Sequence, residues 1–132
     1  VTDDSQIIGK LKSYFAQHAR GLVAVYVFGS VARRASGADS DVDIGVLFAE
    51  TPPATLSGPV LELEGELEHV LGRRVQLVAL NNAPVVDLIH RVLRDGEIVF
   101  EADRSARIRF EVAARNEYFD LLLILRRYRK MA

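Results

Sequence analysis

Cysteine is absent from the 132 residues. That excludes disulfides, thiolate metal sites and a cysteine nucleophile, and it leaves the cellular compartment unmarked. No apolar stretch approaches the roughly 20 residues a membrane helix needs. The polar start through Asp4 lacks the cationic end and apolar run of a secretory signal. These two absences set an expectation of a cytoplasmic protein that does not enter the membrane. Charge of one sign is not in excess: 17 Lys and Arg stand against 18 Asp and Glu, a formal net charge of −1. The chain as a whole therefore lacks the cationic surplus that nucleic-acid binding usually needs. Internal repeats and low-complexity segments are also missing.

What is present is the make-up of one ordinary globular domain. With 49% apolar and 27% charged residues, a chain of this length can bury a core without covalent staples. The expectation is a single domain over residues 1–132, with a core at 1–103 and a C-terminal helix at 104–132.

Asp3, Asp4 and Ser5 offer caps for a helix whose Ile7, Ile8, Leu11, Tyr14 and Phe15 recur every three to four residues, ending near Gly21. Leu22 to Phe28 is an apolar and aromatic run that predicts a buried strand, with a short helical turn after Gly29 and Ser30. A loop follows at Ser36 to Asp39. Val42, Ile44, Val46 and Phe48 alternate with Asp41, Asp43, Gly45 and Leu47, the period of a second strand. Past a connection at Thr51 to Pro59, Leu61 to Leu71 predicts a helix and Val75 to Leu80 a third strand. Pro84 suits the first turn of a helix running to Leu93, and Gly96 precedes a short strand at Ile98 to Phe100. A long helix begins at Arg104, with Ile108, Val112, Tyr118, Phe119, Leu122 and Leu125 as its apolar positions. The fold class is α/β (α+β): a small mixed β-sheet flanked by helices, with a long C-terminal helix.

The chemistry lies between Gly29 and Asp43. A glycine directly after a buried strand lets a ligand approach the main chain, and Ser30 adds a hydroxyl there. Asp41 and Asp43 are two apart on a strand, so both carboxylates leave one face and can share a hard cation. Mg²⁺ commonly takes one or two carboxylates and fills its shell with water and phosphate oxygens. Arg33 could steady phosphates or neutralise charge at a reacting centre. Singly, each has a plainer reading as a turn, a solvated strand end or a surface cation. The ordered set points to phosphoryl or nucleotidyl transfer.

The set resembles the minimal nucleotidyltransferases of the DNA polymerase β superfamily. Their Gly-Ser, small residue, Arg, then Ser-Asp-X-Asp before an aliphatic strand reads here as Gly29, Ser30, Val31, Ala32, Arg33, then Ser40, Asp41, Val42, Asp43, Ile44. The L-G-R-R-V and R-N-E-Y-F-D segments extend the likeness over nearly the whole chain. The resemblance implies a nucleotidyltransferase fold in which Asp41 and Asp43 bind Mg²⁺ and act in catalysis. It places Gly29, Ser30, Arg33 and Ser40 around a nucleoside triphosphate, most plausibly ATP. It further implies an antitoxin whose partner is a HEPN-type toxin, in some members modified by AMP on a tyrosine.

Two positions depart from that pattern. Gln76 stands where a third acid is expected, and an amide can accept a hydrogen bond but cannot take a proton from an attacking hydroxyl. An antitoxin that works by binding alone is therefore the competing expectation. Arg34 replaces a glycine that often follows the motif arginine.

Among the remaining residues, His18, His69 and His90 show no metal-site spacing. Glu62, Glu64, Glu66 and Glu68 suggest a solvated helix face. Tyr118 to Leu125 is apolar on more than one helix face, a candidate interface for a homo-oligomer or a heteromer. The basic end at Arg126, Arg127, Arg129 and Lys130 suits the helix dipole.

Overall fold

A computed structural model describes residues 3–53, 58–83 and 85–131. In chain order it runs α1 (Asp4–Gln17), β1 (Leu22–Phe28), α2 (Gly29–Ala32), β2 (Val42–Phe48), α3 (Pro59–Leu71) and β3 (Val75–Ala79). After a 3₁₀ turn at Leu80–Asn82 come α4 (Val86–Asp95), β4 (Glu97–Glu101) and α5 (Arg104–Met131). The strands form one sheet in the order β3-β2-β1-β4. β1 is antiparallel to both β2 and β4, whereas β2 and β3 are parallel. Every residue of β1 is buried, as its unbroken apolar run requires of a strand flanked on both edges and covered on both faces.

Helices cover both faces of the sheet. Ile7, Leu11 and Phe15 of α1 and Leu67 and Leu71 of α3 pack with Val25, Val27, Ile44 and Val46 on one side. Tyr26, Phe28 and Leu47 pack with Leu80, Val92 and Leu88 on the other, where Ala106 and Phe110 of α5 join them. α1 begins as its sequence suggests: Asp3 is the N-cap, accepting from Gln6 N at 2.8 Å, while Gln6 answers with its side-chain oxygen on Asp3 N. This capping box satisfies two otherwise orphaned donors. The helix stops at Gln17, four residues before Gly21, because His18 leaves the helical region and the chain turns through Gly21 at φ +79°. Pro84, and residues 54–57 of the connection after β2, lie outside the described residues.

Two expectations need correction. The α3 glutamates are not a plain solvated face: Glu68 accepts from Val75 N at 3.1 Å and Glu64 from Leu77 N at 3.0 Å. β3 is an edge strand whose outer N–H groups would otherwise be free to pair with another chain, and these carboxylates close that edge. Glu62 and Glu66 are exposed as first read, Glu66 while accepting from the Tyr14 hydroxyl.

Four of the six apolar positions assigned to α5 are also not on its packing face, because Ile108, Val112, Phe119 and Leu125 are exposed, while Tyr118 and Leu122 are partly covered. α5 docks instead through Ala106, Phe110 and Glu111, the last buried and ion-paired with Arg107, which also reaches Glu101 at 2.7 Å. Tyr118 stacks on His90 of α4, ring centres 3.6 Å apart. Beyond Tyr118 the exposed side chains include Phe119, Leu123, Ile124, Leu125 and Tyr128. No helix among the described residues is long and apolar enough to cross a membrane.

Candidate functional site

Asp43 is the second residue of β2 and Asp41, expected on the strand, lies just before it; Asp43 is at one end of the sheet face that carries α4 and α5. Asp43 pairs in register with Phe28, the last residue of β1, on one side and with Gln76 of β3 on the other. Registered neighbours point to the same face, so Gln76, exposed on edge strand β3, projects from the same side of the sheet as Asp43. Gly29 follows β1 immediately and has φ +70°. A Cβ built on Gly29 would fall inside the Asp43 carboxylate. The glycine thus serves two needs, a left-handed backbone and contact between main chain and acid.

Electrostatics gather around the same point. The Asp43 carboxyl is held above its ordinary value of 3.8, first by burial and then by the Asp41 charge, while Arg33 and Arg91 pull it back down. Asp41 is within 3.2 Å of Arg74 Nε, a guanidinium that is itself largely in water. Arg33 lies at the C-terminus of α2 and its amide donates to Gly29 O at 3.2 Å. Arg34, after it, takes the left-handed conformation with φ +58°, which accounts for glycine being the easier residue there. Its guanidinium is tied to Ala32 O and Glu97 instead of to the acids.

The structure therefore brings Gly29, Arg33, Asp41, Asp43 and Gln76 together. Ser30 is half-buried in the first turn of α2. The Ser40 hydroxyl turns back into its own loop, accepting from Gly37 N at 2.9 Å. Three arginines were not singled out from sequence. Arg74 pairs with Asp41, Arg91 of α4 acts on Asp43 across the site, and Arg73 holds the loop before Asp41. Only the Arg73-Arg74 pair had a signal, the L-G-R-R-V segment; Arg91 is placed by the packing of α4, which no local pattern reports.

The arrangement fits a divalent cation on physical grounds. Burial first and the Asp41 charge second disfavour the ionised Asp43, and a cation between the two carboxylates would offset both. No group of three or more His, Asp or Glu side chains among the described residues is placed to hold a metal. A cation here would need water and substrate oxygens to complete its shell. A hollow of about 460 Å³ lies beside Asp41, lined by residues 38–40 and 72–74. A larger one of about 940 Å³ lies on the opposite face, along α1 near Tyr14, His18 and Val70. Neither hollow is lined by Asp41 or Asp43; the smaller one reaches the residues that flank Asp41, whereas the larger one is remote from both acids.

Comparison with known proteins gives a consistent picture. Residues 9–105 match the family model for polymerase beta, nucleotidyltransferase. A search of curated proteins returned no match. Among solved structures, a toxin–antitoxin complex with AMP-PNP contains a chain 25% identical to this one, with a TM-score of 0.77 over 95% of this chain and 98% of that one. A complex of tri-AMPylated Shewanella oneidensis HEPN toxin with its MNT antitoxin contains a chain 24% identical, with a TM-score of 0.72 over 98% of this chain and 99% of that one. A chain assigned as a minimal nucleotidyltransferase is 33% identical, with a TM-score of 0.54 over 72% of this chain and 94% of that one.

Proposed function

This chain belongs to the polymerase β nucleotidyltransferase family, and from that premise we propose that it transfers AMP from ATP, with Mg²⁺, to a protein acceptor. The acceptor is a HEPN-type toxin, and the chain is its antitoxin in the cytoplasm. The observation that carries this reading is the contact of Gly29 with Asp43, alongside Asp41, at the mouth of the sheet. The neighbours seen with AMP-PNP and with an AMPylated toxin lend the nucleotide and the acceptor.

Asp41 and Asp43 would hold Mg²⁺, which when bound supplies charge neutralisation at the phosphates. Gly29, without a side chain, lets the triphosphate lie against the main chain, and the Ser30 hydroxyl can donate to it. Arg33 and Arg91 add positive charge where negative charge grows in transfer. In that transfer the acceptor hydroxyl oxygen bonds to the α-phosphorus, the bond to the β-phosphate oxygen breaks, and pyrophosphate leaves. The hydroxyl proton needs an acceptor, and the Gln76 amide can accept or donate a hydrogen bond but cannot take up that proton.

That last point favours a second reading, an antitoxin that neutralises by binding while transferring slowly or not at all. The two separate cleanly. Label from α-labelled ATP should appear on the purified toxin with the wild-type chain and vanish with Asp41→Ala plus Asp43→Ala. A stable complex without label would establish neutralisation by binding. Gln76→Asp should raise a measurable rate by about 10²-fold, the usual scale of general-base catalysis. An unchanged rate would show that proton removal at position 76 does not limit transfer. We assign partner contact to the exposed apolar side chains of α5 that follow Tyr118.

A further inference from the structure

We infer that Arg73 is a positioning residue that sets Asp41 by clamping the loop before it, an inference that rests on the reading of Asp41 as a metal ligand. The geometry surrounds Asp41 on both sides. Arg73 Nη2 donates to Gly37 O at 2.9 Å and to Ser40 O at 2.5 Å. On the far side, Val42 N donates to Arg74 O at 2.8 Å. The main chain immediately before and after Asp41 is thus gripped by two consecutive residues of the turn between α3 and β3. Gly72, at φ +64°, caps α3 and turns the chain toward that position.

The grip extends to a third element. Arg73 Nη1 lies 3.5 Å from Ser36 Oγ. Ser36 in turn donates through its amide, at 3.1 Å, and through its hydroxyl to Asp4 in the first turn of α1. The Asp4 carboxyl is held below its ordinary value, chiefly by that hydroxyl. Loop 36–40 is therefore fastened to the helix that packs under the sheet and to the strand beside Asp43. Groups that orient metal ligands through hydrogen bonds commonly change metal affinity 10- to 100-fold when removed.

Arginine is the residue this arrangement requires. Both carbonyls accept from one nitrogen, Nη2, while Nη1 faces Ser36; the rigid guanidinium plane fixes these directions together, whereas a lysine offers one compact charge on a flexible stem. The Arg73 Nε is buried without a hydrogen-bond partner among the described residues. Lysine would avoid that orphan, so burial alone gives no reason for a guanidinium here; the two carbonyls do.

The test uses the full chain, wild type and Arg73→Lys, with Mn²⁺ as the probe and amide exchange as a second readout. Arg73→Lys keeps the charge, so a purely electrostatic role predicts unchanged Mn²⁺ affinity. The clamp predicts about 10-fold weaker Mn²⁺ binding and faster exchange at residues 37–42, with β1 as protected as before. Mn²⁺ binding equal to wild type, with unchanged exchange at 37–42, would overturn the inference. Should the wild type itself bind no Mn²⁺, the metal reading fails and the role as a metal-site positioning residue falls with it; the exchange data then say only whether Arg73 orders the loop. Arg73→Ala, measured alongside, is expected to show a larger loss, and Arg73→Lys carries the decision if Arg73→Ala does not fold.

Discussion

The stretch around Asp41 and the half of α5 beyond Tyr118 are opposites in how they are held. Asp41 has its preceding carbonyl, its following amide and its own carboxylate engaged by Arg73 and Arg74. Past Tyr118, by contrast, α5 carries Phe119 at 59% exposure and Leu123 at 55%. Chemistry on phosphates needs carboxylates fixed to a fraction of an ångström, and the fold spends hydrogen bonds there. An apolar helix side gains only when something covers it, at roughly 1.5–3 kcal/mol per large side chain. The contrast separates a stretch that this chain's own hydrogen bonds hold in place from a surface that this chain leaves uncovered.

The largest expected effect breaks the helix and spares the acids. Phe119→Asp with Leu123→Asp should weaken toxin binding 100-fold or more, since losing two such anchors costs about 3 kcal/mol or above. Mn²⁺ binding should stay at the wild-type value. Calorimetric titration of the toxin into each variant checks this, and an intact complex would place partner contact elsewhere. Light scattering on the chain alone would show whether the same face joins two copies.

The converse variant is Gly29→Ala. A side chain at φ +70°, driven into the Asp43 carboxylate, should cost about 1–3 kcal/mol in urea unfolding. Mn²⁺ binding should be lost as Asp43 is displaced, while the toxin complex survives. If toxin binding fell equally, the two regions would not be independent.

Much of this was legible from residues alone, and the misses share a cause. The strand β1, a helix cap among Asp3, Asp4 and Ser5, and the Gly29 to Asp43 set are local patterns, each written in fewer than twenty neighbouring residues. Glu64 and Glu68 were misread because their partners, the β3 amides, are matched to them by the angle at which α3 crosses the sheet edge. The same holds for α5, whose apolar positions occur on more than one face; only the packing against α4 and β1 chooses Phe110 over Ile108 as the inward residue. Gln76 could be suspected from sequence, but its place beside Asp43 is a matter of strand register. Arg91 had no sequence signal, because its relation to Asp43 depends on where α4 lies.

The smallest effect tests the electrostatic side of the comparison. In the folded chain the Asp43 carboxyl is held above 3.8 by burial and by Asp41. The folded state therefore holds that proton more tightly than the unfolded chain does. Without divalent cation, stability should rise as pH falls from neutral through the raised folded value toward 3.8, and Asp43→Asn should lack that rise. At pH 7, Asp43→Asn should be more stable than wild type by roughly 0.5–1 kcal/mol, a modest figure because Asp43 is only partly buried and water screens it. Divalent cation should reverse the order: it binds the deprotonated pair, so wild type with Mn²⁺ gains stability as pH rises and Asp43→Asn gains little. Thermal melts in chelator and in Mn²⁺ across this range read both signs. If Asp43→Asn were no more stable in chelator, neither burial nor the Asp41 charge would be disfavouring the ionised Asp43 in the folded chain, and the electrostatic argument for a cation between the acids would fall.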